Sequence, residues 1–286
     1  MGGLVAASAM PLGAAPDERG QVILTILDGE AQLLLGARAA AAAEGLHLPA
    51  STLVETQANT ALLRLEWPDG SVLDLGPDTR LMLQPAGLRR SGPAPAYYLL
   101  SGWAKHQSGS AGPHRGHVSP QVDALPSQGV TVVQVGADQS LLYCEAGQTQ
   151  LAERAGAAAR HSLSAGAAYL RKGTQTGQLL PRPDPAWLKT VPRAFRDTIA
   201  LRAARFEGKK LEPAARPAPS YAALAPWLTA EPALRREFPR RFTTLAREPA
   251  FRAALIQNLA AHPEWEPLLF PERFLKPASA PTGVRP

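Results

Sequence analysis

Three aspartates, Asp69, Asp74 and Asp78, fall within ten positions of the run LEWPDGSVLDLGPDTRLML (65–83). Carboxylates that converge on one point could hold a divalent cation or share acid–base work. His114 and His117 stand at H-x-x-H spacing, which could open a metal site or serve a hydrolase. His161 and Ser162, with a distant aspartate, could be drawn as a nucleophilic triad. Arg235, Arg236, Arg240 and Arg241, followed by Arg247 and Arg252, could meet an anionic partner. Each set does its chemistry only if the fold brings it to one place.

The aspartates are dispersed by the elements that carry them. In TALLRLEW (60–67), alternation puts Leu63, Leu65 and Trp67 on one face and Leu62, Arg64 and Glu66 on the other. In SVLDL (71–75), Leu73 and Leu75 share a face and Asp74 opposes them. The two apolar faces coincide only if Leu65 pairs with Leu73 and Leu63 with Leu75. That register leaves the three-residue loop Pro68-Asp69-Gly70, with Gly in the left-handed bulge position. Arg64 and Asp74 then become cross-strand partners on an outer, exposed face. Such an exposed pair is worth about 0.2–1 kcal/mol. Asp78 falls in the next turn, at Pro77-Asp78. The three carboxylates mark a meander and do not form a site.

The same rhythm extends from Gln21 to about Lys172. Short apolar runs such as QVILTIL, YYLLSGWAKH, GVTVVQV and QSLLYCE alternate with turn residues. A total of 28 Pro and 24 Gly fits a turn-rich β region. The segment 37–46, ARAAAAAEGL, reads as a helical turn or a loop. Segments 90–96 and 106–120 read as loops. Cys144 is the single cysteine, so no internal disulfide forms, and it is expected to be a small buried hydrophobe.

Charge divides the chain. Residues 1–184 hold 13 Lys+Arg and 15 Asp+Glu, and residues 185–286 hold 17 and 9. Beyond a Pro-rich linker at 174–186, helical spacing replaces alternation. The segment 187–206 is helical but broken by Pro192, and three helices are expected over 220–230, 231–246 and 248–265. Two of these begin with Glu-Pro, which suits the first turn. The stretch 262–274 reads as a closing segment that docks Trp265, Leu269 and Phe270. The expected organisation is a mainly β domain over 20–173, the linker, a small helical unit over 187–275, and a disordered tail over 276–286. Residues 1–19 read as an export signal without its positive start, or as a flexible tail.

No apolar run reaches the length of a membrane-spanning helix. No G-x-G-x-x-G or Walker-type loop occurs, so no cofactor is expected. His114 and His117 have no Cys or carboxylate beside them, and no G-x-S-x-G elbow supports Ser162. The alternative to an anionic partner for the arginines is a solvated face interleaved with Glu231, Glu237 and Glu248. Tyr97, Tyr98 and Trp103, beside the long loop, could instead offer a platform to cell-wall glycan.

The β part resembles the FecR-like domain of bacterial iron-citrate sensor regulators. The resemblance lies in 48–83, with its strand–DGS–strand–P-x-T core, and in YYLLSGWAKH (97–106) at the place of an L-x-x-G strand. It continues in VTVVQVGADQSLLYCEAGQTQL (130–151) and HSLSAGAAYLRKG (161–173), and covers roughly 45–173. It implies an exported, periplasmic, β-rich module that is not an enzyme and binds another envelope protein. The chain departs from the family plan in lacking a membrane helix and in adding a helical C-terminal unit. The reading is therefore a non-enzymatic periplasmic interaction module without a nucleic-acid partner, with cell-wall glycan binding as its alternative.

Overall fold

Alternating residues build two sheets that face each other. The computed structural model describes residues 22–85, 88, 95–110, 115–125, 128–154 and 159–274. The expectations for residues 1–19 and 276–286, for most of the 90–96 loop and for His114 lie outside these.

The strands are β1 (Val22–Asp28), β2 (Ala31–Leu35), β3 (Arg38–Ala41), β4 (His47–Leu48), β5 (Leu53–Thr56) and β6 (Leu62–Glu66). Next come β7 (Val72–Leu75), β8 (Arg80–Leu83), β9 (Tyr97–Gln107), β10 (His117–Val118) and β11 (Val122–Ala124). The last are β12 (Gly129–Val135), β13 (Gln139–Glu153), β14 (Arg160–Ser164), β15 (Ala168–Lys172) and β16 (Gln178–Leu180). The first sheet runs β4-β1-β6-β7-β9-β12-β13-β15-β16. The second runs β3-β2-β5-β8-β9-β10-β11-β13-β14. The long strands β9 and β13 belong to both sheets. β9 crosses over at Gly102, whose φ is +97° and where a Cβ would lie 2.4 Å from the Thr79 hydroxyl. Only glycine fits there.

The fold is mainly β with a small C-terminal helical region, as the sequence implies. The β6–β7 register is the expected one: Leu65 pairs with Leu73, Arg64 with Asp74, and Leu63 with Leu75. Gly70 has φ +80°, and the Asp69 carboxylate accepts from the Ser71 amide at 2.9 Å. Leu63, Leu65, Trp67, Leu73 and Leu75 fill the space between the sheets, with Cys144 buried among them. Some expectations fail. Residues 38–41 form β3, because their main chain pairs with β2 and with a later segment: Ala41 donates to Ala214 O and Arg216 to Ala39 O, both at 2.9 Å. Paired backbone here outranks the helix propensity of alanine. Within the expected linker, Gln178–Leu180 adds an edge strand to β15.

The outer faces of the sandwich are covered by the chain beyond residue 184. The strap comprises α1 (Pro185–Thr190) and two 3₁₀ turns, Arg193–Arg196 and Ala203–Phe206, and crosses the first sheet. The helices α2 (Tyr221–Leu228), α3 (Pro232–Arg235), α4 (Phe238–Arg241), α5 (Pro249–Gln257) and α6 (Glu266–Leu269) then pack on the second sheet. Glu231 and Glu248 precede Pro232 and Pro249 as expected for helix starts. Trp265 and Leu269 are buried in the helical core. Trp227, Leu228, Phe238 and Phe242 share one core with Leu34, Leu53, Met82 and Tyr98 of the second sheet. The indole of Trp227 donates to Glu55 at 2.6 Å, and Arg154 pairs with Glu231 across the same junction.

Covering changes the Arg64–Asp74 pair. It is not exposed: each residue keeps 4% of its accessible surface. The guanidinium donates two bonds of 2.7 Å to the carboxylate. Burial pushes the Asp74 carboxyl up, while Arg64 and Lys105 oppose this. A buried charge stripped of its partner costs about 3–5 kcal/mol. Arg64→Leu should therefore lower the unfolding free energy in urea by roughly that amount. Adding Asp74→Leu should recover most of the loss.

His106 and His117 supply a second measurable property. Both are buried at one end of the sandwich, and His117 stacks on Tyr97 with centroids 4.9 Å apart. Burial pushes the His106 pKa down to about 4, with Asp69 opposing and Arg115 assisting, and that of His117 down to about 3. The unfolded chain takes up these protons first. Stability should therefore be retained above the ordinary histidine range and fall as pH drops from about 6.5 towards 4, by about 1.4 kcal/mol per pH unit for each histidine. Urea transitions at a series of pH values measure this slope, and His117→Phe should remove one histidine's share.

Candidate interaction surface

Two prolines bracket α1 and keep it short. Pro185 occupies its first turn, the Asp184 carboxylate caps it by accepting from the Ala186 amide at 2.7 Å, and Pro192 follows its end. This places Trp187 inward, against Trp103 and Tyr143 at centroid distances of 5.6 and 6.2 Å. The Trp187 indole donates to Gln134 at 2.6 Å. Phe195, eight residues on, is 1% exposed and is the second apolar anchor. From Phe195 onward the strap is largely irregular, and its main-chain groups find side-chain partners on the sheet. Arg64 donates to Ile199 O at 2.9 Å, and Lys105 donates to Phe195 O. The Glu66 carboxylate accepts from the amides of Arg202 and Ala203 at 2.9 and 2.8 Å, and from the Thr25 hydroxyl at 2.8 Å. Lys105 also pairs with Glu145 at 2.9 Å.

A cleft of about 490 Å³ remains between the strap and the sheet. Val132, Tyr143, Val191 and Phe195 line it, with Lys189, Arg196 and Glu145 also contributing. Leu188, 37% exposed, stands at its wall. Such a volume lies within the range of small-ligand and peptide side-chain pockets.

The positive surplus of the C-terminal part sits on this strap and its continuation. Residues 185–216 carry Lys189, Arg193, Arg196, Arg202, Arg205, Lys209, Lys210 and Arg216 against Asp197, Glu207 and Glu212. The helical residues 217–274 are nearly balanced, with seven Arg and six Glu. Of the four arginines singled out in the sequence, Arg235 pairs with Glu264 at 3.2 Å and donates to Ala261 O. Arg241 donates to Leu34 O at 3.0 Å and Gly36 O at 3.1 Å, and lies over Phe242. Burial pushes its pKa down to about 10. These two arginines fasten the helical unit to itself and to the β2–β3 turn. Arg236 and Arg240 are exposed.

The other sequence candidates are dispersed. Asp69 binds Arg115 at 3.1 Å, Asp74 faces Arg64, and Asp78 sits in its turn with φ +49°. His117 lies in β10 under Tyr97, not in the loop. Among the described residues, no group of three or more His, Cys, Asp or Glu is placed to hold a metal ion. His161 reaches Glu153 at 3.3 Å, while Ser162 accepts from Gln148 at 2.8 Å, so the two are not joined. Glu153 also accepts from Tyr169 and Gly177 and pairs with Arg171 at 3.0 Å. Burial alone would raise its pKa, but these partners outweigh it and hold the carboxyl low. Tyr97, Tyr98 and Trp103 are buried, so the aromatic platform that motivated a glycan reading is part of the packing. The sequence reading missed the anchors Trp187 and Phe195 as ligands of the sheet. Its signal was the row of charges, Arg64, Glu66, Asp74 and Lys105, on the outward positions of adjacent strands.

Among the described residues, no helix is long and apolar enough to cross a membrane. No family model matches the chain, and no curated protein matches it. Two crystal structures, at 2.50 and 1.65 Å resolution, are similar to it; each is described as a "putative anti-sigma factor" from Parabacteroides distasonis. Both are 12% identical to this chain over 48% of its length, with TM-scores of 0.38 and 0.37. The chain spans 64% and 65% of theirs, less than two thirds.

Proposed function

We propose that this chain is a non-enzymatic, FecR-like interaction module of the bacterial periplasm, and that its strap side presents a cationic surface to an acidic envelope protein. One observation carries the reading: the exposed Lys189, Arg193 and Arg205 ride on a segment that holds most of the C-terminal surplus charge, beside an open cleft. Clustered like charges of this kind steer an oppositely charged partner and speed its encounter. The FecR-like character and the periplasmic setting rest on the strand-and-turn markers over 45–173. The β6–β7 hairpin, whose turn and register are those the markers require, supports the fold part of that resemblance. A role in envelope signalling follows the same resemblance.

The test is capture from an envelope extract with the immobilised chain, followed by titration of the purified recovered protein. An acidic protein should bind at low salt and weaken steeply as salt approaches about 0.5 M, where charges are screened within a few ångströms. Lys189→Glu, Arg193→Glu and Arg205→Glu together should weaken it by roughly tenfold or more. Equal binding by the triple variant, or no specific protein recovered, would exclude this surface.

A further inference from the structure

We infer that the outer face of the first sheet is a peptide site that reads main chain, filled in cis by the strap and able to take a similarly folded segment of a partner in its place. Two features of the contact lead there. Three largely buried charged side chains, Arg64, Glu66 and Lys105, address the strap through its carbonyls and amides at Phe195, Ile199, Arg202 and Ala203. Beyond the second anchor most of the strap's side chains turn outward: Asp197, Thr198, Ala200 and Leu201 are exposed. The site thus recognises two large apolar anchors eight residues apart and the main chain that follows the second, and hardly reads those four side chains.

The surface beneath the strap is also suited to being uncovered. Beside the apolar patch of Leu62, Trp103, Val132 and Leu141 under the anchors, it presents Arg64, Glu66, Asp74 and Lys105, ions that water solvates readily, so exposing that part lacks the penalty of exposing hydrocarbon. The second sheet differs. Under the helical unit it presents Leu34, Leu53, Met82 and Val118, a cover that has to stay. The cleft of about 490 Å³ beside Trp187 and Phe195 shows that the strap leaves part of the face unfilled. Residues 207–212, which lead away from the strap, are all exposed, so no packed element has to move when it lifts. The occupant is a polypeptide segment with two aromatic or large aliphatic anchors at this spacing, the first on a short helix and the second on a 3₁₀ turn, followed by irregular main chain. The cationic residues lie on the outer side of the strap and this site lies on the sheet beneath it; the salt titration reads the first and the peptide binding below reads the second, so their failures are distinguishable.

The experiment uses the full chain carrying Trp187→Ala and Phe195→Ala, which frees the face, and a fluorescent peptide of residues 185–206 as the probe. The variant should bind the peptide saturably, and adding Lys105→Met should weaken binding by about tenfold. Replacing the exposed side chains within residues 197–201 of the peptide by alanine, with Ile199 kept, should change the affinity by less than about threefold, whereas replacing both anchors should abolish binding. Absence of saturable binding to a variant that still unfolds cooperatively would overturn the inference, as would loss of binding on the 197–201 replacement. Hydrogen exchange on the unaltered chain tests it independently of that variant's folding. The Arg202 and Ala203 amides should exchange at least about 100-fold faster than those of Arg64 and Leu65. Equal protection would mean that the strap leaves only on global unfolding, and would overturn it.

Discussion

A row of charges taken out of water holds the strap side of this protein together. Arg64 and Asp74 neutralise each other across β6 and β7, and Glu66 and Lys105 extend the row along the same outer face. Ions in such a place need every lone pair and proton engaged. The strap supplies what the pair alone cannot: carbonyls for Arg64 and Lys105, amides for Glu66. The dependence is mutual. An irregular segment has main-chain groups that no helix or ladder satisfies, and these groups must find partners when buried. Here the sheet's side chains serve as the partners, so a stretch with few hydrogen bonds of its own is nonetheless well defined.

The second sheet solves the same covering problem by other means. Its outer face is apolar, and the helical unit buries it with Trp227, Phe238 and Phe242. Polar ties then set the angle of that unit: Trp227 to Glu55, Arg241 to the β2–β3 carbonyls, and Arg154 to Glu231. One chain thus carries two kinds of intramolecular interface. One resembles a domain core, and the other resembles the polar contact between separable partners.

The β domain was legible where alternation and turn chemistry agree. Leu63, Leu65, Leu73 and Leu75 can be buried together in one register only, and Pro68-Asp69-Gly70 permits that register. Burial of the opposite face was not legible, because a period-two pattern assigns residues to faces without saying what covers them. The Arg64–Asp74 partnership was therefore foreseen and its environment missed. The alanines of 38–41 misled for a related reason: local propensity favours helix, and the pairing that overrides it comes from residues 214–216. Similarly, Arg235 and Arg241 looked like surface charge in sequence. Their partners, Glu264 and the carbonyls of the β2–β3 turn, are brought to them only by the tertiary fold.

The two strands shared by both sheets set the order in which the chain can close. β9 joins the early hairpins of residues 22–83 to everything after them, and β13 ties the two sheets together again over its fifteen residues. The second leaf lacks its last strand until Ser164 is in place and the first until Leu180, both more than half-way along the chain. During synthesis, the early strands must wait with their apolar faces uncovered, a state in which strand edges associate readily. A chain built this way gains a sandwich whose leaves cannot slide apart, and in return it has no stable folded half.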